Sequence, residues 1–176
     1  MTDQKFDYVV ASHVVEHIPD LIVWLQDLAQ ITKPDGRVFL VVPDKRYIFD
    51  IARPLTSLGE VIDNHLTGKS SPSLRDVFDQ RYYSVKVNAK SVWDGDLKEK
   101  DLVCRGRLNR MGINDLAKRV REEYVDAHCN VFTSGSFRDI IDELCRFRYQ
   151  PFEVVHLDDV AHPYGDFIAL LGKRSG

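Results

Sequence analysis

Two histidines bracket a glutamate in the stretch His13-Val14-Val15-Glu16-His17. On an α-helix, residues four apart share a face. There this spacing could hold a zinc ion between two imidazoles, with the carboxylate as base, as in an inverted zinc hydrolase motif. The flanking residues oppose that reading. Residues 6–11 (FDYVVA) have the short, apolar, β-branched character of a strand. Pro19 follows two residues after His17, which leaves room for one turn and not for a long ligand-bearing helix. His128 and Cys129 offer further donors, but no spacing ties them to the trio. The sequence alone therefore assigns no metal ligand, and a zinc hydrolase using His13, Glu16 and His17 is kept as a minor alternative.

Other residues of chemical interest sit at strand ends. Ser12 and His13 close the strand at 6–11, and ligands of open α/β sheets lie beyond the carboxyl ends of strands. His17 is of the residue type most often used as a general base. Asp44 and Tyr47 follow a second apolar run, where a carboxylate can take a proton and a phenol can shape a pocket. The three cysteines, Cys104, Cys129 and Cys145, form no CxxC pair and no metal-ligand spacing. An odd, unpatterned set suits a reducing compartment, with each thiol packed as a small hydrophobe.

The elements that position these residues follow from local patterning. After Asp20, a helix cap, Leu21, Trp24, Leu25, Leu28 and Ile31 recur at helical spacing. Lys33-Pro34-Asp35-Gly36 has turn chemistry, and residues 37–42 (RVFLVV) read as a second buried strand. Strand, helix and strand within residues 1–43 make one βαβ unit with parallel strands. Residues 44–127 carry helical pieces at 56–66, 73–83 and 114–124 and no clear strand, so they read as a helical insertion or lid. In 128–176, Thr133 caps a helix over 134–147 whose inward face is Phe137, Ile140, Ile141 and Leu144. Strands are expected at 151–157 and 166–172, and the short link between them permits only an antiparallel pair.

Composition bounds the rest. The 176 residues are 44% hydrophobic and 29% charged, enough for one domain with a core. A net charge of −3 argues against a dedicated nucleic-acid binder. No run of 18 apolar residues exists and the first residues carry no apolar leader, so the expectation is a cytoplasmic protein without membrane contact.

The segment Phe6 to Asp20 (FDYVVASHVVEHIPD), the following Trp24-Leu25, the turn Lys33-Pro34-Asp35-Gly36 and the run Arg37 to Asp44 (RVFLVVPD) together resemble the fourth strand, next helix and fifth strand of class I S-adenosylmethionine-dependent methyltransferases, of the type 11 kind. The C-terminal helix and strand pair look like that family's last helix and antiparallel sixth and seventh strands. The resemblance covers residues 5–44 and 128–174. It implies an α/β fold: a partial Rossmann-like methyltransferase sheet, parallel strands plus an antiparallel C-terminal strand, with a helical insertion. It implies S-adenosylmethionine as cofactor, bordered by Ser12 and His13, and a small-molecule acceptor facing Asp44, Tyr47 and His128. His17 and Asp44 are the candidate catalytic groups. The stretch His128 to Thr133 (HCNVFT) is similar to methyltransferases found beside sugar-transferring enzymes, which points to a saccharide-related acceptor. The family holds its cofactor through a glycine-rich loop, and this sequence contains no GxGxG. The resemblance therefore implies half of a methyltransferase domain, inactive or partner-dependent by itself. The alternative is a non-enzymatic half-domain that self-associates. The strand at 6–11, lacking neighbours on one side, is expected to form a homodimer.

Overall fold

The computed structural model describes residues 4–98, 102, 109–161 and 163–174. Its elements are β1 (Phe6–Ser12), a 3-10 turn (Val15–His17), α1 (Leu21–Ile31), β2 (Thr32–Pro43), α2 (Leu58–Leu66), α3 (Leu74–Tyr83), α4 (Ala89–Trp93), α5 (Arg110–Glu122), α6 (Ser134–Arg146), β3 (Phe152–Asp158) and β4 (Asp166–Lys173).

The four strands form one mixed sheet in the order β1-β2-β4-β3. β1 runs parallel to β2, while β4 is antiparallel to both of its neighbours. The fold is thus mixed α/β, as expected, with the reversed strand inserted between β2 and β3. The sheet is covered on one face. Val38, Leu40 and Val42 of β2 stand opposite Leu171, Ala169 and Phe167 of β4, and all six are buried. They form one core with Leu21, Ile22, Leu25 and Leu28 of α1 and Phe137, Ile140, Ile141 and Leu144 of α6. Each of these side chains larger than alanine contributes about 1.5–3 kcal/mol of burial. The alternate residues Tyr8, Val10 and Phe39 point the other way and are exposed.

The helix ends follow the expected chemistry. The Asp20 carboxylate accepts from the Val23 N–H, Ser57 from Glu60, and Ser73 from Asp76 in a capping box. Thr133 and Ser136 form a second reciprocal box at α6. The expected helix at 114–124 begins at Arg110 instead, because Asn109 caps it by accepting from the Gly112 N–H. The helix expected from residue 56 begins at Leu58, after its Ser57 cap.

The turn expected at 33–36 differs more. It lies inside β2 as a bulge: Phe6 pairs with Thr32 and Tyr8 with Arg37, so five steps along β2 match two along β1. Gly36 is needed there. A Cβ would sit 3.0 Å from the carbonyl oxygens of both Phe6 and Asp7. Within 44–127 the described residues form four helices, and α3 and α5 share a small core of Val77, Leu116 and Ala127. Cys104 lies outside the described residues. Among those described, no helix is long and apolar enough to cross a membrane.

Candidate functional site

The carboxyl ends of β1 and β2 carry the chemistry. Ser12 is exposed at the end of β1. His13 turns the chain at φ 54°, a left-handed conformation unusual for a side-chain-bearing residue, and its N–H donates to the Val41 carbonyl. The His13 ring is half exposed. It places Nε2 3.4 Å from the Asp166 carboxylate and Nδ1 3.7 Å from Glu16. Asp166 faces Pro43 across the ladder, so the ends of β1, β2 and β4 meet here.

Next comes the 3-10 turn. It has three residues, and His13 lies outside it. The helical face required by the zinc hydrolase alternative therefore does not form, and Pro19 with the strained His13 backbone accounts for that. Glu16 points inward and is 2% exposed. Its backbone carbonyl accepts from the N–H groups of Cys129 and Asn130, and the Asn130 amide donates to the carbonyls of Val15 and Ile18. These bonds sew the 128–131 segment to the turn. His128 consequently packs its ring edge-on against His17, centroids 4.8 Å apart. Each ring is gripped by a carboxylate at Nδ1: His17 by Asp126 at 2.9 Å and His128 by Asp50 at 2.5 Å. Asp50 is buried and also holds Arg53, whose guanidinium donates to the His128 carbonyl.

A second group forms around Asp44, which is fully buried. One of its oxygens accepts from the Arg46 N–H and Nε, the other from Arg46 Nη2 and the Ser134 N–H. Arg46 Nη2 continues to Asp159, which accepts from the Ser134 hydroxyl. The Asp44 bond raises the Arg46 guanidinium above its ordinary value. Burial lowers the neighbouring Lys45 ammonium, which donates to the Arg53 carbonyl. Tyr47 packs beside Trp93, ring centroids 6.0 Å apart. Tyr47 also presses against Gly165, where a Cβ would come within 2.6 Å of the Tyr47 Cβ, so glycine is required.

The structure thus brings His13, Glu16, His17 and His128 into one cluster and places Asp44 and Tyr47 in an adjoining one. It leaves Asp44 with both oxygens engaged and no face free for an acceptor. Sequence reasoning did not single out Asp50, Arg53, Asp126 or Asn130. The i, i+3 spacing of Asp50 and Arg53 was one available signal, and the other two declare themselves only in three dimensions. Cys129 and Cys145 are buried as expected, and desolvation pushes the Cys129 thiol up to about 12. A surface cavity of about 740 Å3 lined by Gln26, Cys145, Arg148, Tyr149 and Arg174 lies at the opposite end of the sheet and shares no residue with the His13–His128 cluster or the Asp44 group.

A family model described as a methyltransferase domain matches residues 2–144. Two curated proteins, the mitochondrial ubiquinone biosynthesis O-methyltransferases of Bos taurus and Homo sapiens, are each 48% identical over 44 residues. That stretch is 25% of this chain and 12% of each relative, so the match spans only a small part of their length. Among solved structures, a chain described as a Zn-dependent alcohol dehydrogenase from Rhodobacter sphaeroides is similar over 96% of this chain and 59% of its own, with a TM-score of 0.46 and 11% identity.

Proposed function

The chain belongs to the methyltransferase-domain family, and from that premise we propose that it serves S-adenosylmethionine-dependent methyl transfer to a small-molecule acceptor. The observation that carries the reading is the open end of β1. Exposed Ser12 and His13 stand there beside buried polar groups, where ligands of such sheets lie. The residues present fit the cofactor only in part. They offer one wall, but the sequence holds no GxGxG that would let backbone approach a nucleoside closely. Asp44 acts as a positioning residue, holding the end of β2 to α6. Trp93, 40% exposed beside Tyr47, supports a ring-shaped, saccharide-related acceptor.

On this reading these 176 residues bind the cofactor weakly until a glycine-rich loop from another segment or chain completes the cleft. Calorimetry should give a dissociation constant weaker than about 1 mM, equivalent to about −4 kcal/mol. Photo-cross-linking with labelled S-adenosylmethionine should mark the peptide containing Ser12 and His13. Micromolar affinity would contradict the partial-wall account, and label confined to other peptides would sink the cofactor assignment.

The outer edge of β1 has no strand beside it among the described residues, and Tyr8 and Val10 are 73% and 70% exposed on the uncovered face. Such an edge recruits another strand. We propose that a second copy pairs there, edge to edge about a two-fold axis. Light scattering should report twice the 20.3 kDa chain mass. The double substitution Tyr8→Lys, Val10→Lys should return it to the monomer mass. A wild-type chain that stays monomeric at high concentration would contradict the pairing.

A further inference from the structure

Glu16 poses a physical problem. Its side chain is 3% exposed, and its Oε2 atom is buried without a hydrogen-bond partner. Leaving a buried carboxylate oxygen unmet costs about 1–3 kcal/mol or more, a cost that a bound cation would offset. What surrounds it is suited to that. One donor atom each from Glu16, His17 and His128 lie within 4.8 Å of one another.

The two imidazoles are oriented for ligation. Asp126 occupies Nδ1 of His17 and Asp50 occupies Nδ1 of His128. That leaves Nε2 of each ring for the site. A carboxylate on the far nitrogen of an imidazole is the arrangement that fixes the tautomer and raises the basicity of metal-bound histidines. Asp50 is itself fixed by Arg53, and the segment carrying His128 is pinned to the turn carrying Glu16 by main-chain bonds. His13, which the sequence pattern had grouped with Glu16 and His17, turns toward Asp166. His128 takes the third place.

We propose that Glu16, His17 and His128 form a binding site for one divalent transition-metal ion, with zinc as the type. Two imidazoles and one carboxylate are a known zinc donor set, which keeps a fourth position open for water or an oxygen ligand. Magnesium and calcium favour all-oxygen surroundings. The size is right for a site that closes on its ion. The three donors lie within 4.8 Å of one another, and His17 Nε2 is 3.9 Å from the Glu16 carboxylate, so the centre of the triangle is at most about 2.8 Å from any donor and reaching about 2.1 Å asks none to move more than about 0.7 Å. The Oε2 atom then gains the partner it lacks. The site stands independently of methyl transfer. With the ion bound, His17 is a ligand and is not free to act as a base.

The test uses the full chain, stripped with a chelator and titrated with zinc sulfate by calorimetry, with cobalt(II) absorption as a second readout. One ion per chain is expected, with a rise in melting temperature and visible cobalt bands of a low-coordinate site. His17→Gln and His128→Gln should each lose at least about tenfold in affinity, as should Asp126→Asn through the outer shell. Asp126 is 62% exposed, so that last variant leaves the core intact. Glu16→Gln has a diagnostic double signature. It should abolish zinc binding and raise the melting temperature of the metal-free chain, because the orphaned charge is gone. No binding up to about 1 mM zinc would overturn the site. So would affinity unchanged in His17→Gln, His128→Gln and Asp126→Asn, or magnesium binding as tightly as zinc.

Discussion

Phe137→Ala should destabilise the chain by about 3–5 kcal/mol, a large share of the roughly 5–15 kcal/mol that holds a domain together. The Phe137 ring is 0% exposed and sits where three elements meet. It packs edge-on to Phe132 at 5.3 Å and tilted against Phe167 of β4 at 5.5 Å. Truncation removes the burial of a whole ring and about 0.5–1.5 kcal/mol for each aromatic pair. The cavity left between α6 and the sheet adds to the loss, since a strand and a capped helix cannot easily collapse onto it. Urea unfolding should show a lower midpoint at unchanged slope. Leu66→Ala, 72% exposed at the end of α2, is the control and should stay within about 0.5 kcal/mol. A Phe137→Ala midpoint as close to wild type as that of the control would refute the three-way packing.

Phe137 was legible in the sequence because it belongs to a periodic face. The same is true of the α1 and α6 cores, of β1, and of the strand pair at the end. In the helices apolar spacing and a cap residue agree, in the strands short apolar runs are bounded by turn residues, and the structure follows them to within a residue or two. What was not legible has a common cause. The bulge at 33–36 carries turn chemistry, but whether a turn interrupts a strand or is absorbed by it depends on the partner strand, here the Phe6 and Asp7 carbonyls against Gly36. Asn109 caps α5 from outside any apolar period, so the helix start was placed too late.

The candidate site divides in the same way. Ser12, His13, Glu16 and His17 fall within six consecutive residues, and the end of a strand is a strong positional signal. His128 could be named from a short pattern, but its meeting with His17 could not, because the contact depends on Asn130 and two N–H groups closing on the turn at Glu16. Asp44 illustrates the opposite error. A carboxylate after a strand suggests chemistry, yet burial and four donors make it a structural hub. Residue type told where polar groups lie, and only their partners told what they do.

That hub carries the second large effect. Asp44→Ala should cost about 3 kcal/mol, the low end for breaking a buried ion pair, because Arg46 is 44% exposed and water can meet part of its guanidinium. The Ser134 N–H at the start of α6 loses its acceptor, and the Arg46 N–H loses its own. The loss should be coupled to Asp159, since one nitrogen of Arg46 contacts both carboxylates. Burial alone would raise the Asp159 carboxyl. Bonds from the Ser134 hydroxyl, the Val160 N–H and Arg46 outweigh it and hold the group below its usual range. A carboxyl depressed in the folded state stabilises the fold above its unfolded value of about 3.9, and that contribution fades as pH falls through the folded value. Melting temperature against pH should therefore drop less steeply below about pH 4 in Asp159→Asn than in wild type. In Asp44→Ala, Arg46 is freed to turn toward Asp159 or toward solvent, so the two substitutions should not add. A double-mutant cycle should give a coupling of at least about 0.5 kcal/mol. Strict additivity would show that Arg46 serves the two carboxylates separately and that the end of β2 is not held to α6 through it.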